Sequence, residues 1–310
     1  MQQRNNFVNK VPMEFAPDFL AVKARDIAAG LGYTERPVDR AFGWFTDAGY
    51  RTYASAQPDA ARCLTQQGTN RPPPLIFWYR EAPRYLVGEE GGAVERNTPP
   101  AAEPGNLEMQ LDSEGRLLQF RTWPSETAAA EKPATDFSKL LTAAGFDPSK
   151  LTAADPSWTP PMAFDTRAAW TSKEGSDPIR IEVASWRGQV VALQRQLPWN
   201  VAAPPVNRLF NFYFLLLLPL VAALVAWRNL RLGRGHKRGA NRLAGFLLVC
   251  QITSQLLASH HIPQNEEGLV IVTALRDALY LPVALWLIYV AFEPFLRRYV
   301  PHTWLAGAAC

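Results

Sequence analysis

The chain has 310 residues and a formal net charge of +4, with 48% hydrophobic and 19% charged residues. So small a basic excess argues against a nucleic-acid partner, and three cysteines (Cys63, Cys250 and Cys310) without metal or redox spacing exclude a disulfide scaffold or a thiolate metal site. The mean hydropathy of −0.13 averages two unlike parts, because roughly the first two hundred residues read as soluble and apolar runs dominate from Leu209 onward.

Residues 1–16, MQQRNNFVNKVPMEFA, hold no apolar stretch of signal-peptide length and read as a tail. From 17 to 200 the pattern predicts an α+β domain of two similar units, about 17–124 and 134–199, each a helix followed by antiparallel strands. The helices are FLAVKARDIAAGLGY, ending at Tyr33, and FSKLLTAAGF, ending at Phe146, with apolar residues at helical spacing before a glycine stop. A strand follows in each, IFWYREA at 76–82 and AFDTRAA at 163–169, aligning Phe77 with Phe164 and Arg80 with Arg167. Next comes a hairpin, LEMQLDSEGRLLQF turning near Gly115 and IRIEVASWRGQVVALQ turning near Gly188. A Pro- and Gln-rich insertion lies around 56–74, 91–105 and 125–135 read as loops, and 201–208, containing VAAPPV, reads as a stiff linker.

Residues 209–310 predict an α-helical membrane region of about three helices, near 209–227, 243–259 and 269–293. Leu209–Trp227 is nineteen residues without charge, which at about 1.5 Å each nearly crosses a core of roughly 30 Å; Pro219 is tolerable there. The second run carries Gln251, Thr253, Ser254 and Gln255, suited to facing another helix. The third is interrupted by Arg276 and Asp277, expected together near an interface or a neighbouring helix. Between the first two runs stands RNLRLGRGHKRGANR, with Arg228, Arg231, Arg234, Lys237, Arg238 and Arg242 and no acid; the next connection has Glu266 and Glu267 and no Lys or Arg. The positive-inside rule puts the basic connection in the cytoplasm, beside lipid head groups, and the soluble domain on the other side. The reading is a multi-pass protein of the bacterial inner membrane, with the bilayer as partner. Exporting the soluble part calls for an earlier membrane anchor, so the chain is expected to be the downstream part of a longer architecture.

His260, His261, Glu266 and Glu267 have metal-ligand chemistry, although adjacent histidines rarely both face one ion, and polar residues at a membrane interface are the simpler reading. An intramembrane metalloprotease pattern with Arg four residues after the second Glu fails, because Ile271 stands there. No GxSxG elbow organises a nucleophile. Arg80, Asp165 and Arg167 are candidates for a ligand groove, against ordinary surface ion pairing. No cofactor is expected.

KARDIAAGLGYTERPVDRAFGW resembles the opening of the extracytoplasmic region of large bacterial transmembrane serine/threonine protein kinases, and WRNLRLGRGHKRGANRLAGF resembles the basic loop after their next membrane helix. PSWTPP, DTRAAW and LIYVAFEPFLRRYVPHTW extend the resemblance over most of the chain. It implies a sensory or anchoring region with an extracytoplasmic ligand and a kinase domain or other signalling protein as partner. The kinase motifs themselves are missing from this chain; Asp136, Phe137 and Ser138 give only DFS. The expected function is therefore non-catalytic, and the alternative is a membrane-associated hydrolase using the outer domain or the region of His260 and His261.

Overall fold

The computed structural model describes residues 14–56, 75–88, 93–124, 136–172, 179–197, 199, 208–234, 237–263 and 267–299. Most of the 1–16 tail, the 56–74 insertion, the 125–135 loop and the 201–208 linker lie outside the described residues. The chain divides into two compact units, one holding the strands and one holding the C-terminal helices.

The first unit runs α1 (Pro17–Gly30), β1 (Asp39–Thr46), α2 (Ala48–Ser55), β2 (Leu75–Ala82), β3 (Leu107–Leu111), β4 (Leu117–Thr122), α3 (Ser138–Ala143), β5 (Leu151–Ala154), β6 (Thr166–Ser172), β7 (Ile179–Trp186) and β8 (Gln189–Gln196). The eight strands form one antiparallel sheet in the order β1-β2-β3-β4-β8-β7-β6-β5. Each half is thus a helix followed by a four-stranded meander, and the halves meet through their last strands.

The same local chemistry starts and turns both halves. At the end of α1 the Tyr33 N–H reaches the Ala28 carbonyl (2.9 Å) across Gly32, whose φ is 95°; after α3 the Phe146 N–H reaches Leu141 (2.9 Å) across Gly145, with φ 79°. Both are Schellman stops, and a side chain at either glycine would be strained. The β3–β4 and β7–β8 hairpins each carry a register shift just before the turn, at Gln110/Leu111 and Ala184/Ser185. In the second, Arg187 (φ 49°) and Gly188 (φ 76°) form the two-residue turn that matches strand twist.

Matching the hairpins through Gly115 and Gly188 makes Phe120 the counterpart of Leu193, and these two residues pair at the centre of the β4–β8 seam. Gln119 pairs with Gln194, the counterpart of Arg121, while Arg121 pairs with Ala192, the counterpart of Gln119. The seam is therefore isologous in the manner of a two-fold interface.

Strand alternation then decides the faces. Phe77, Tyr79, Leu107, Met109, Phe120, Ile181, Val183 and Leu193 turn to one side and bury against Leu20, Ala24 and Ala28 of α1 and Leu140 and Leu141 of α3. Arg195, also buried, donates to the Leu117 carbonyl (2.8 Å) and to the Ala144 carbonyl at the end of α3, which ties that short helix to both halves of the seam.

The second unit holds α4 (Arg208–Arg231), α5 (Lys237–Ala258) and α6 (Glu267–Tyr299), with α6 packed on both others. Its interior is made of small residues, Ala222, Ala226, Ala240 and Ala291, with Val290; Asn229 Nδ2 donates to the Val290 and Ala291 carbonyls at 3.1 and 3.0 Å. Its exterior is apolar, with Leu257 82% and Phe246 66% exposed. A small-residue interior and an apolar surface suit lipid better than water.

Of the expected membrane region one helix is shown: among the described residues the 29-residue stretch Glu267–Phe295 is long and apolar enough to cross a membrane. Helix α5 starts at Lys237 rather than near 243, which brings three basic residues into it, and the side chains of 208–216 in α4 lie outside the described set. Arg276 and Asp277 pair with each other on the exposed side of α6, Nε to Oδ1 at 2.9 Å.

Phe120→Ala is expected to destabilise the sheet unit by about 3–5 kcal/mol, since it empties the centre of the seam. A lower urea midpoint of tryptophan fluorescence for the full chain in detergent checks this, with the exposed Val38→Ala unchanged as control.

Candidate functional site

The side of the sheet away from α1 and α3 is polar at its centre. Alternation places Trp78 and Arg80 of β2, Glu108 and Gln110 of β3, Gln119 and Arg121 of β4, and Gln194 and Gln196 of β8 on this face. Two segments flank it. One, within 94–106, brings Arg96 over the Phe45 ring at 3.9 Å and supplies carbonyls of Glu95 and Pro99 to Arg80. The other sets Trp158, Met162 and Phe164 against Ala184, Val191 and Ala192.

Two carboxylates at equivalent positions of the halves differ sharply. Glu108 stands between Arg80 and Arg121 across the ladder; its counterpart Glu182 stands between Ala169 and Gln194. Glu182 is fully engaged: it accepts from Ser157 N–H (3.1 and 3.0 Å), Ser157 Oγ (2.7 Å), Trp158 N–H (2.8 Å) and Arg180 Nε (2.6 Å). Burial pushes its pKa up, but the bonds from Ser157, Arg180 and Trp158 outweigh burial and hold it below the usual carboxylate value. Glu108 goes the other way: burial raises its pKa and the attraction of Arg80, Arg121 and Arg96 offsets this only in part.

The sequence-predicted groove is not assembled. Arg80 lies on β2 and Arg167 on β6, five strand spacings apart, roughly 24 Å across the sheet. Arg167 donates to the Trp158 carbonyl (2.9 Å) and lies over Phe164, while Asp165 accepts from the Arg187 N–H at the β7–β8 turn. The string alignment of Arg80 with Arg167 is also displaced, since Arg80 faces Glu108 and Arg167 faces Ala184; the register counterpart of Arg80 is Ala169. Arg96, Glu108 and Arg121 stand beside Arg80 in the places that the sequence pattern gives to Asp165 and Arg167, and Glu182 is the counterpart of Glu108 in the other half. Alternation in LEMQL and LLQFRT was the available signal for Glu108 and Arg121.

A separate cleft of about 530 Å³ is bordered by Arg25, Tyr33, Arg36, Glu81, Trp123 and Gln189. Its strongest polar groups are already matched within the fold. Arg25 pairs with Glu81 at 2.8 Å, the Tyr79 hydroxyl donates to Glu81 at 2.6 Å, and the Tyr33 hydroxyl donates to the Val190 carbonyl at 2.7 Å.

In the helical unit His261 is bonded at both ring nitrogens, Nδ1 to Glu267 Oε1 and Nε2 to the Leu256 carbonyl, each at 2.7 Å. Two acceptors require two N–H donors, which is the imidazolium form, and the Glu267 bond, followed by that to Leu256, raises its pKa. His260 is half-buried beside it and Glu266 lies outside the described residues. Among the described residues no three His, Cys, Asp or Glu side chains gather as metal ligands.

The six basic residues all lie at or between helix ends. Arg228 and Arg231 sit in the last turn of α4, where cations suit the helix dipole, and Arg231 covers the Trp227 ring at 4.0 Å. Lys237 and Arg238 open α5, where the dipole disfavours them, so helix stability does not explain their presence. No family model, curated protein or solved structure matches the chain.

Glu182's pKa is depressed in the fold, so its contribution is present above the unfolded value and lost as pH falls through the folded one. The 155–165 segment should therefore loosen below about pH 4, and Glu182→Ala should loosen it at neutral pH. Limited proteolysis across that segment reads both. His261 has the opposite sign: its pairing contributes fully below about pH 6.5 and disappears as pH rises through the raised folded value. Imidazole NMR of the chain in detergent should show that value falling toward 6.5 in Glu267→Gln.

Proposed function

We propose that the chain is a non-catalytic, membrane-anchored sensory or interaction protein of the serine/threonine receptor-kinase type. The observation that carries this reading is the division into two chemically opposite units, a sheet domain with an open polar face and a helical unit with an apolar exterior. The resemblance of KARDIAAGLGYTERPVDRAFGW and WRNLRLGRGHKRGANRLAGF to the kinase receptors supplies the signalling part of the proposal.

In this reading α4, α5 and α6 cross the inner membrane, with the Arg228–Arg242 connection inside and the sheet domain outside. The positive-inside rule and the placement of Lys237 and Arg238 against the α5 dipole support that orientation. A ligand on the outer domain shifts the helices only if it binds two arrangements of the protein with different affinity. The partner is then a kinase domain or another signalling protein.

Reporter fusions test the orientation. A periplasmic reporter placed after Trp199 should be active, and a cytoplasmic one within the Arg228–Arg242 connection should be active. An intracellular signal from the Trp199 fusion would remove the outward placement.

A further inference from the structure

The open face of the sheet contains an excess of guanidinium that its own carboxylate does not satisfy. Arg80, Arg96, Glu108 and Arg121, with Trp78 and Gln119, border a small pocket. Arg80 is only 2% exposed. Its Nη1 and Nη2 are committed to the Glu95 and Pro99 carbonyls at 2.9 and 2.5 Å. Its Nε is buried without a hydrogen-bond acceptor, the nearest carboxylate oxygen being Glu108 Oε1 at 3.5 Å.

Arg121 gives Nη2 to Gln194 Oε1 at 3.1 Å and, with the Gln119 amide oxygen turned toward it, Nε to that oxygen at 2.6 Å. Arg96 stacks on Phe45, an arrangement that directs its in-plane N–H groups elsewhere. Asp47 also acts on Arg96, but its own oxygens accept from the Tyr50 N–H (3.1 Å) and Trp199 Nε1 (3.2 Å). Two carboxylates, Glu108 and Asp47, among three guanidiniums leave partly desolvated positive charge, which is costly unless neutralised.

We infer that this pocket binds the carboxylate group of a small ligand, held by Arg96 and Arg121 with the Arg80 Nε, while the rest of the ligand lies along Gln110, Gln119 and Gln194. The pocket's volume of about 20 Å³ admits one or two water-sized groups, which suits a flat carboxylate in guanidinium forks better than a tetrahedral oxyanion. The other half of the sheet shows such a carboxylate in place, Glu182 held by a guanidinium and backbone N–H groups. Glu108 is the internal competitor for the same donors. The inference is independent of membrane orientation and of signalling.

The test uses the full chain in detergent with ¹⁵N-labelled tryptophan indoles, titrated with acetate at ionic strength held constant by chloride, and with phosphate as comparator. Trp78, assigned through Trp78→Phe, should show a saturable shift with acetate. Arg96→Gln and Arg121→Gln should each weaken it about tenfold or more, as loss of a charge-assisted bond does. Glu108→Gln should tighten it. Where Arg121→Gln does not fold, Arg121→Lys, which keeps the charge without the fork, should show a smaller loss. Absence of a saturable shift in both the parent and Glu108→Gln overturns the site. Preference for phosphate overturns the carboxylate assignment, and a Glu108→Gln variant that binds no more tightly overturns the competition.

Discussion

The β4–β8 seam is the interaction on which the sheet depends. Phe120 and Leu193 face each other at its centre, and each neighbouring pair joins a residue to the other's counterpart. Because both halves present the same strand to the seam, their helices α1 and α3 fall on the same side and share one apolar layer. Arg195 adds a buried bond from β8 to β4 and to the end of α3, so seam and helix placement are secured together.

Symmetry of backbone has not kept symmetry of charge. At equivalent ladder positions one half has Arg80 and Arg121 beside Glu108, and the other has Ala169 and Gln194 beside Glu182. The second carboxylate is consequently free to secure a covering segment through Ser157 and Trp158, whereas the first is held among cations. Equivalent strand positions thus hold a carboxylate that fastens a segment in one half and a cluster of charges in the other.

Much of the sheet domain was legible in the sequence because its signals are local. Gly32, Gly115, Gly145 and Gly188 all have positive φ, and each marks a helix stop or turn that the pattern located. Strands β1 and β5 were not distinguished, since DRAFGWFT is interrupted by a glycine and LTAA is four residues long. The pairing of Arg80 with Arg167 failed for a different reason. A slide of two residues along a strand preserves the face and the alternation, so string similarity cannot detect it, and only hydrogen-bond partners do. Arg96 could not be placed from the strands because its position depends on a loop drawn in through Arg80. In the helical unit, apolar runs located the helices but not their ends. Lys and Arg are good helix formers, so α5 extends back through the basic segment to Lys237.

Among the described residues six of the seven strand pairings join neighbours along the chain, and β4–β8 does not. During synthesis the first meander can form from residues already made, while the partner of β4 is the last strand of the domain. Until β8 arrives, Phe120 has its partner Met109 on β3 but none on its other side, and β4 presents an unpaired edge. Gln119 and Arg121 lie on either side of it, and polar or charged residues on an open edge discourage pairing with another chain. The seam that later closes the sheet is thus also its most exposed line while the nascent chain waits for its second half.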